Sequence, residues 1–141
     1  MYRKAVLSDS KGLHALVCEL EATELSYEKF YDILNEQLQD RQHYYCLICE
    51  KDNSIVAVLN LRIERQLHHA GPVAEIMEFC VGQEYRGMGI GKEMFVRACE
   101  ISKAFKCSQI EVTCNKGRES AAKFYEKAGM KSSHFKYTME L

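Results

Sequence analysis

The feature that most constrains this chain is a glycine-rich turn between an apolar stretch and an amphipathic one. Residues Ala74–Val81 are mostly apolar and predict a central β-strand. The turn, residues 82–91, follows directly. From Lys92 onward apolar side chains recur every three or four positions, which predicts a helix with one face on a sheet. A strand, a tight turn and a helix therefore succeed one another without an intervening linker.

The turn has the composition of an anion-binding site. Gly87, Gly89 and Gly91 leave their backbone N–H groups unshielded, and the first turn of a helix has N–H donors without partners inside the helix. The helix dipole adds roughly 0.3–1 kcal/mol of preference for negative charge at this end. Arg86 can pair with a phosphate oxygen. These residues predict a phosphate site.

The spacing excludes two well-known phosphate loops. A Walker loop needs Gly five positions before the Gly of Gly-Lys-Ser/Thr, but Arg86 stands there relative to Gly91, and Glu93 follows Lys92. A dinucleotide fingerprint needs a third Gly or Ala at Lys92 or Met94, and neither position has one.

Arg86, Gly89 and Gly91 form an Arg-x-x-Gly-x-Gly motif that resembles the acetyl-CoA pyrophosphate loop of the GNAT N-acetyltransferases. Residues 121–130, Ala-Ala-Lys-Phe-Tyr-Glu-Lys-Ala-Gly-Met, are similar to the A-x-x-F-Y-x-K-x-G-F segment of the same family. The resemblance implies acetyl-CoA as cofactor and a single GNAT domain over residues 1–141. It also implies the α/β (α+β) class, with a mixed central sheet and helices on both faces.

Hydrophobic periodicity and turn residues predict the order β-α-α-β-β-β-α-β-α-β, which is the order of that family. Helices are predicted after the capping residues Ser8–Ser10, after Ser26, from Lys92, and over Glu119–Ala128 with Gly129 ending the last. Lys51–Ser54 has hairpin turn chemistry and residues 65–72 read as a polar loop. The predicted strands are Tyr2–Leu7, Tyr44–Glu50, Ile55–Glu64, Ala74–Val81, Gln109–Thr113 and His134–Leu141.

Composition narrows the function classes. Lysines and arginines number 19 against 20 acids, for a net charge of −1, so neither a nucleic acid nor a membrane surface is an expected partner. No apolar run approaches the ~20 residues of a membrane span, and we expect a cytoplasmic protein. The seven cysteines are an odd number scattered over predicted strands and helices, which indicates reduced thiols.

The resemblance also implies which residues hold the cofactor. The pantetheine arm would pair with the backbone of the strand end, and the pyrophosphate would lie on the glycine-rich loop. At one position the family has Asn and this chain has Arg118, which either replaces that contact or loses it, while Asn115 can supply an amide. The implied set is Phe79, Cys80, Val81, Arg86, Gly87, Met88, Gly89, Ile90, Gly91, Lys92, Asn115, Arg118 and Phe124.

Acetyl transfer to an amine needs a base, because primary amines are mostly protonated at neutral pH. Glu78 is the first choice, since acids are common at the matching family position, and Glu75 is the second. Side-chain alternation along a strand predicts that these two acids lie on opposite faces. Tyr125 is the candidate acid that protonates the leaving thiolate. For Glu75, Glu78 and Tyr125 alike, the alternative to a catalytic role is a structural one.

The acceptor is suggested by three further patches, residues 18–20, 67–69 and 133–138, which resemble the aminoalkylphosphonate N-acetyltransferases. A phosphonate needs cationic or hydrogen-bonding partners. The candidates are Arg65, His68, His69, His134 and Lys136, with Glu75 beside the amine. The histidine pair lacks the spacing of a zinc site, so we expect no metal site formed by protein ligands alone, and a divalent ion that bridges to the phosphonate stays open. We also expect a homodimer, and the histidine pair can equally serve a subunit contact.

Three alternatives stay open at this stage. The acceptor can be a polyamine, an aminoglycoside or an amino acid, and the acidic stretch Glu21–Glu28 would suit a polyamine. A protein N-terminal acetyltransferase is a further possibility. A catalytically silent acyl-CoA-binding module belongs to another class, and the presence of both Glu78 and Tyr125 argues against it.

Overall fold

The computed structural model describes all residues from Met1 to Leu141. It divides into two compact units, Met1–Glu111 and Val112–Leu141, and each is described by itself. No helix combines the length and the hydropathy that a membrane span requires.

The elements follow the predicted order up to the last one. The strands are β1 (Tyr2–Lys4), β2 (Tyr44–Lys51), β3 (Ser54–Gln66), β4 (Gly71–Val81) and β5 (Ile110–Val112). The helices are α1 (Ser10–Glu21), α2 (Tyr27–Gln39), α3 (Ile90–Ala104) and α4 (Glu119–Lys127). Short 3₁₀ turns occupy Leu7–Asp9, Leu67–His69 and Gln83–Tyr85.

The strands form one sheet in the order β1-β2-β3-β4-β5. The first three pairs are antiparallel. Ser108 N–H donates to the Pro72 carbonyl and Ala74 N–H to the Gln109 carbonyl, both at 3.1 Å, so residue numbers rise together along the last pair. That pair is therefore parallel, and the sheet is mixed, as predicted.

Two layers of side chains cover the sheet. Leu13, Leu16 and Leu34 of α1 and α2 form a buried cluster with Cys46 and Ile48 of β2. The neighbouring Cys49 points the other way, toward Tyr2, and the Arg97 guanidinium of α3 stacks over the Tyr2 ring at 4.6 Å. Helices thus lie on both faces, as predicted. Cys46 and Cys49 are buried free thiols on opposite faces.

Local chemistry explains several boundaries. The Ser26 hydroxyl accepts from Lys29 N–H at 3.3 Å and begins α2, as predicted. Asp9 precedes α1 but makes no side-chain cap, because its carboxylate binds Arg3 and the Val6 N–H. Asp52 and Asn53 adopt positive φ angles of 50° and 60° and close the β2–β3 hairpin.

One loop prediction and one strand prediction were wrong. Residues 65–72 are not an extended loop, because β3 continues to Gln66 and pairs with β4 from Gly71, leaving only a short turn. Residues 134–141 form no strand. Their alternating apolar side chains match the strand pattern, but within this chain that segment has no ladder partner. Phe135, Tyr137 and Met139 are 79%, 90% and 85% exposed.

Candidate functional site

Glu78 lies on β4 in a half-buried polar network that is joined by Asn60. Its Oε2 accepts a hydrogen bond from Asn60 Nδ2 at 2.9 Å, and the same Nδ2 donates to Gln37 Oε1 on α2 at 2.9 Å. Burial raises the pKa of Glu78, the bond from Asn60 lowers it, and the charge of Glu21 raises it further, with a net upward shift. A carboxylate with a raised pKa is a better proton acceptor near neutral pH.

A β-bulge determines which face Glu78 occupies. Asn60 pairs with Glu78 but Leu61 pairs with Ile76, so Met77 has no opposite residue on β3. Because Met77 is an extra residue, the side chains before and after it do not follow one continuous alternation along β4. Glu78 therefore faces the side covered by α1 and α2.

The predicted separation of Glu75 and Glu78 onto opposite faces is wrong for the same reason. Glu75 pairs with Arg62, which lies two positions from Asn60 on β3 and so on the same face. The contacts agree, because Glu75 Oε2 accepts from Arg62 Nη2 at 2.8 Å. Simple period-two counting failed since the bulge adds one residue between the two acids.

Two residues of this face escaped the sequence analysis. Asn60 Oδ1 and Arg62 Nε are buried and have no hydrogen-bond partner. Arg62 also contacts Glu64 at 3.5 Å, so its Nη2 is shared between two acids while its Nε is not used. Unpaired buried polar atoms are uncommon and mark places where a ligand can bind. Neither residue belongs to a motif, so only the strand register identifies them.

The glycine-rich loop leaves space at its surface. Gly87 and Gly89 have φ angles of 77° and 82°, and Gly89 is the N-cap of α3. A Cβ atom at either glycine would meet nothing within 4 Å. The side chain of Met88 is 61% exposed. A bound group can therefore approach the main chain at this loop.

The Arg86 side chain contacts two other groups of the chain. Its Nε donates to the Val81 carbonyl at 2.9 Å, and its Nη2 lies 3.5 Å from Glu19 Oε1. Glu19 Oε1 also accepts from Gln83 N–H at 3.1 Å. The Arg86 side chain is 59% exposed, so exchanging these contacts for a phosphate is sterically open. Phe79, Cys80 and Val81 end β4 and pair with β3 residues.

Tyr125 lies on α4 in the second unit. Burial raises its pKa to about 12, the nearby Cys114 also raises it, and Arg118 lowers it. The Phe124 ring packs edge-on against Tyr125 at 5.4 Å. Asn115 Oδ1 accepts from Gly117 N–H at 2.8 Å and shapes the turn before α4. The raised pKa of Tyr125 favours the protonated phenol, whose O–H can donate a hydrogen bond.

The predicted phosphonate partners lie at different places. His68 and His69 occupy the turn between β3 and β4, with their rings 4.3 Å apart, and Arg65 is close to that end. Arg65 is five residues from Asn60 along β3, or about 17 Å. A small acceptor beside Glu78 does not span that distance. His134 and Lys136 lie in the second unit, and both are exposed.

Comparisons with known proteins agree with this geometry. The model of the Acetyltransferase (GNAT) family matches residues 13–130. The chain is 33% identical over 139 residues to an aminoalkylphosphonate N-acetyltransferase of Salmonella typhimurium, covering 99% of this chain and 90% of that one. It is 30% identical over 88 residues to a glucosamine 6-phosphate N-acetyltransferase of Trypanosoma brucei brucei, covering 62% and 58%.

Among solved structures, a Bacillus halodurans protein described as a transcriptional regulator superposes with a TM-score of 0.91 at 23% identity. The match covers 100% of this chain and 99% of that one. At this identity the likeness concerns the fold alone.

Proposed function

This chain belongs to the GNAT acetyltransferase family, and from that premise we propose that it acetylates the primary amine of a small aminoalkylphosphonate, with acetyl-CoA as donor and Glu78 as general base. The observation that carries the proposal is the half-buried Glu78 carboxyl, which has a raised pKa and is oriented by Asn60. A silent binding module has no need of an acid poised in this way.

The cofactor is proposed to bind at the glycine-rich loop. The amides of residues 87–92, at the start of α3, supply donors for the pyrophosphate, and Arg86 exchanges Glu19 for a phosphate oxygen. Acetyl-CoA supplies the activated acyl group as a thioester. The strand end Phe79–Val81 aligns the arm, and Asn115, Arg118 and Phe124 complete the proposed set.

The chemical step needs a proton acceptor and a donor. Glu78 takes one proton from the substrate ammonium, which frees the lone pair for attack on the acyl carbon. The new C–N bond forms as the C–S bond breaks, and the attacking nitrogen gives its second proton to the departing thiolate sulfur, which leaves an amide, the CoA thiol and a protonated Glu78. Tyr125, with a pKa near 12, is a weaker acid than a thiol of pKa ~8.5, so it acts by donating a hydrogen bond as charge develops on sulfur.

Arg62 is our choice for the phosphonate contact. It lies on the same face as Glu78 and about 7 Å away along the strand, a distance that a short aminoalkylphosphonate can bridge. Its unpaired Nε can donate to a phosphonate oxygen. The identity to the Salmonella enzyme gives independent support. Arg65, His68 and His69 then have no proposed part in acceptor binding, and His134 and Lys136 of the second unit serve a different contact.

We place that contact in a homodimer. The side chains of Phe135, Tyr137, Met139 and Leu141 are exposed and alternate with polar ones. If two copies pair antiparallel about Thr138, Phe135 faces Leu141, Tyr137 faces Met139, and Lys136 faces Glu140. Both the apolar and the charged positions are thus self-complementary.

The dimer is tested by sedimentation. Tyr137→Glu places an unpaired carboxylate opposite Met139 of the other copy, among the apolar side chains of the interface, so we expect a monomer. Ile33→Glu is the matched control, since Ile33 is an exposed apolar residue on α2. A monomeric parent protein, or a Tyr137→Glu protein that sediments as the parent dimer does, would rule out this interface.

A polyamine is the second candidate acceptor. Glu64, Glu75 and Glu78 share one region of the sheet with a single arginine, and the charge of Glu21 reaches Glu78. Such surroundings attract a cationic amine. An aminophosphonate differs from a polyamine because it also carries an anionic phosphonate group, which needs Arg62 as its partner.

The two acceptors are separated by substrate comparison. Release of the CoA thiol is followed with an aminophosphonate and with a plain alkylamine of equal length, for the parent protein and for Arg62→Gln. Loss of one charge-assisted bond costs about 1.5–3 kcal/mol, or roughly 10- to 150-fold in kcat/KM, and only with the anion. Equal losses on both substrates, or a parent enzyme that prefers a polyamine, would remove the phosphonate from the proposal.

A further inference from the structure

A second cluster of reactive side chains lies at the end of α1, outside the residues discussed above. His14 and Cys18 are four positions apart and therefore share one face of the helix. Glu24 follows in the turn that leads to α2. One ligand atom from each of the three side chains lies within 4.8 Å of the other two.

We propose that these three side chains form a binding site for a zinc-class divalent ion. Imidazole, thiolate and carboxylate are the three ligand types that zinc takes in proteins. Bond lengths of 2.0–2.3 Å and tetrahedral angles place neighbouring ligand atoms about 3.5 Å apart. His14 Nε2 and Cys18 Sγ lie 3.4 Å apart, which matches this spacing.

The surroundings hold the ligands in place before an ion arrives. The His14 ring packs edge-on between Tyr27 and Phe30, with centroids 5.2 Å away from each. Leu25 N–H donates to Cys18 Sγ at 3.4 Å, a bond that favours the thiolate. The ring orientation and one outer contact of the sulfur are therefore already set.

The same atoms make hydrogen bonds in the metal-free protein. Because a carbonyl only accepts, the 2.7 Å contact between His14 Nε2 and the Leu25 carbonyl means that Nε2 carries a proton there. Binding of the ion replaces this bond, the ring proton moves to Nδ1, and the thiol proton leaves to solvent. The fourth tetrahedral position is filled by water.

The ion would fix the turn between α1 and α2. Cys18 and His14 are on the helix and Glu24 is beyond its end, so the ion joins the helix to the segment that leaves it. That turn begins directly after Glu21, the last residue of α1, whose charge acts on Glu78. The site was missed in the sequence because the third ligand lies in a loop with no metal-binding spacing.

The test uses the full-length protein with its thiols kept reduced. Co²⁺ is titrated and followed by its thiolate charge-transfer absorption, Zn²⁺ affinity is measured by competition with a chromophoric chelator, and thermal unfolding is followed with and without Zn²⁺. We expect one ion per chain, a Tm that rises with Zn²⁺, and weaker binding at low pH, where the ligands are protonated.

Matched variants locate the ion. Cys18→Ser should abolish the Co²⁺–thiolate band and weaken Zn²⁺ by more than the roughly 10- to 100-fold that loss of an outer contact costs. Glu24→Gln should keep the band and weaken binding. Cys99→Ser, a half-buried thiol on α3, and the His68→Ala/His69→Ala double variant should bind as the parent does. No Zn²⁺ binding at micromolar concentrations, or unchanged binding in Cys18→Ser, would overturn the proposal.

Discussion

The glycine-rich loop and the Glu78 network differ in how they are encoded. The loop is an exposed main-chain site, and its special backbone conformation at Gly87 and Gly89 has to be supplied by glycine. The Glu78 network is a buried side-chain site, built by Asn60 and Gln37 from two other elements. The loop is formed by ten consecutive residues, whereas the three network residues are spread over more than forty.

The difference explains which contacts can be recognised in a sequence. A main-chain site requires particular residue types at fixed local spacing. A side-chain network requires only that strands and helices meet in the right register. Mutations should therefore affect the two regions differently, with conformational and cofactor-binding effects in the loop and protonation effects around Glu78.

The largest effect is expected for Glu78→Gln. Loss of a general base should lower turnover at neutral pH by roughly 10²–10⁴-fold while acetyl-CoA affinity, measured by calorimetry, stays the same. An equal fall in cofactor affinity would indicate that the carboxylate supports the fold instead of the chemistry. Mutations would then not distinguish the glycine-rich loop from the Glu78 network.

The same variant should be more stable than the parent protein. Burial raises the pKa of Glu78 in the folded state above its unfolded value, so ionising this carboxyl at neutral pH destabilises the fold. The Tm of Glu78→Gln should exceed that of the parent at neutral pH. The gain should vanish below about pH 4, where the carboxyl is protonated in both states. A lower Tm at neutral pH would contradict the assigned direction.

Gly89→Val probes the loop. A side chain at φ 82° costs about 1–2 kcal/mol, and the branched Cβ also covers the amides that a pyrophosphate would use. If the free loop relaxes away from this conformation, binding has to restore it, so we expect acetyl-CoA affinity to fall by roughly the five- to 30-fold that this energy represents. Gly71→Ala is the control, because its φ is not positive and the nearest atom to the added Cβ is 4.0 Å away. Unchanged affinity in a folded Gly89→Val protein would exclude the loop.

Asn60→Leu tests the orientation of the base. The variant removes a hydrogen bond that lowers the pKa of Glu78, so that pKa should rise. A bond to a charged group is worth about 1.5–3 kcal/mol, which corresponds to a shift of about one to two pH units in the acid limb of kcat/KM, toward higher pH. Asn35→Ala, on the exposed side of α2, should leave the profile in place. If the acid limb of the kcat/KM profile did not move in Asn60→Leu, the group that titrates in that limb would not be Glu78.

Glu75→Gln should have the smallest effect. Glu75 lies on the same face as Glu78, but its carboxylate is already paired with Arg62. We expect less than about a tenfold change in kcat with a plain alkylamine, given the 10²–10⁴ of a general base. A loss as large as that of Glu78→Gln would transfer the catalytic role to Glu75.

What could be predicted from the sequence follows the same division between a local main-chain site and a side-chain network across strands. The glycine-rich turn before α3, the Ser26 cap and the helix end at Gly129 were predicted correctly because each depends on local residue chemistry. The role of that turn as a phosphate site stays a prediction. The relation of Glu75 to Glu78 was wrong because the bulge at Met77 has no glycine or other local signal. Asn60 and Arg62 were missed since their importance arises from pairing across strands.

The strand predicted over residues 134–141 failed for a related reason. An alternating pattern indicates that a segment can pair, but it does not supply the partner strand. Such a segment becomes a strand only where another strand lies beside it and can pair with it.

The most direct test of the account is the pH dependence of kcat/KM for the parent enzyme and for Glu78→Gln with one alkylamine acceptor. If Glu78 removes the proton, the large deficit of Glu78→Gln at neutral pH should shrink toward about pH 10, where the amine deprotonates by itself. A deficit of the same size at both pH values would contradict the assignment of Glu78 as the base.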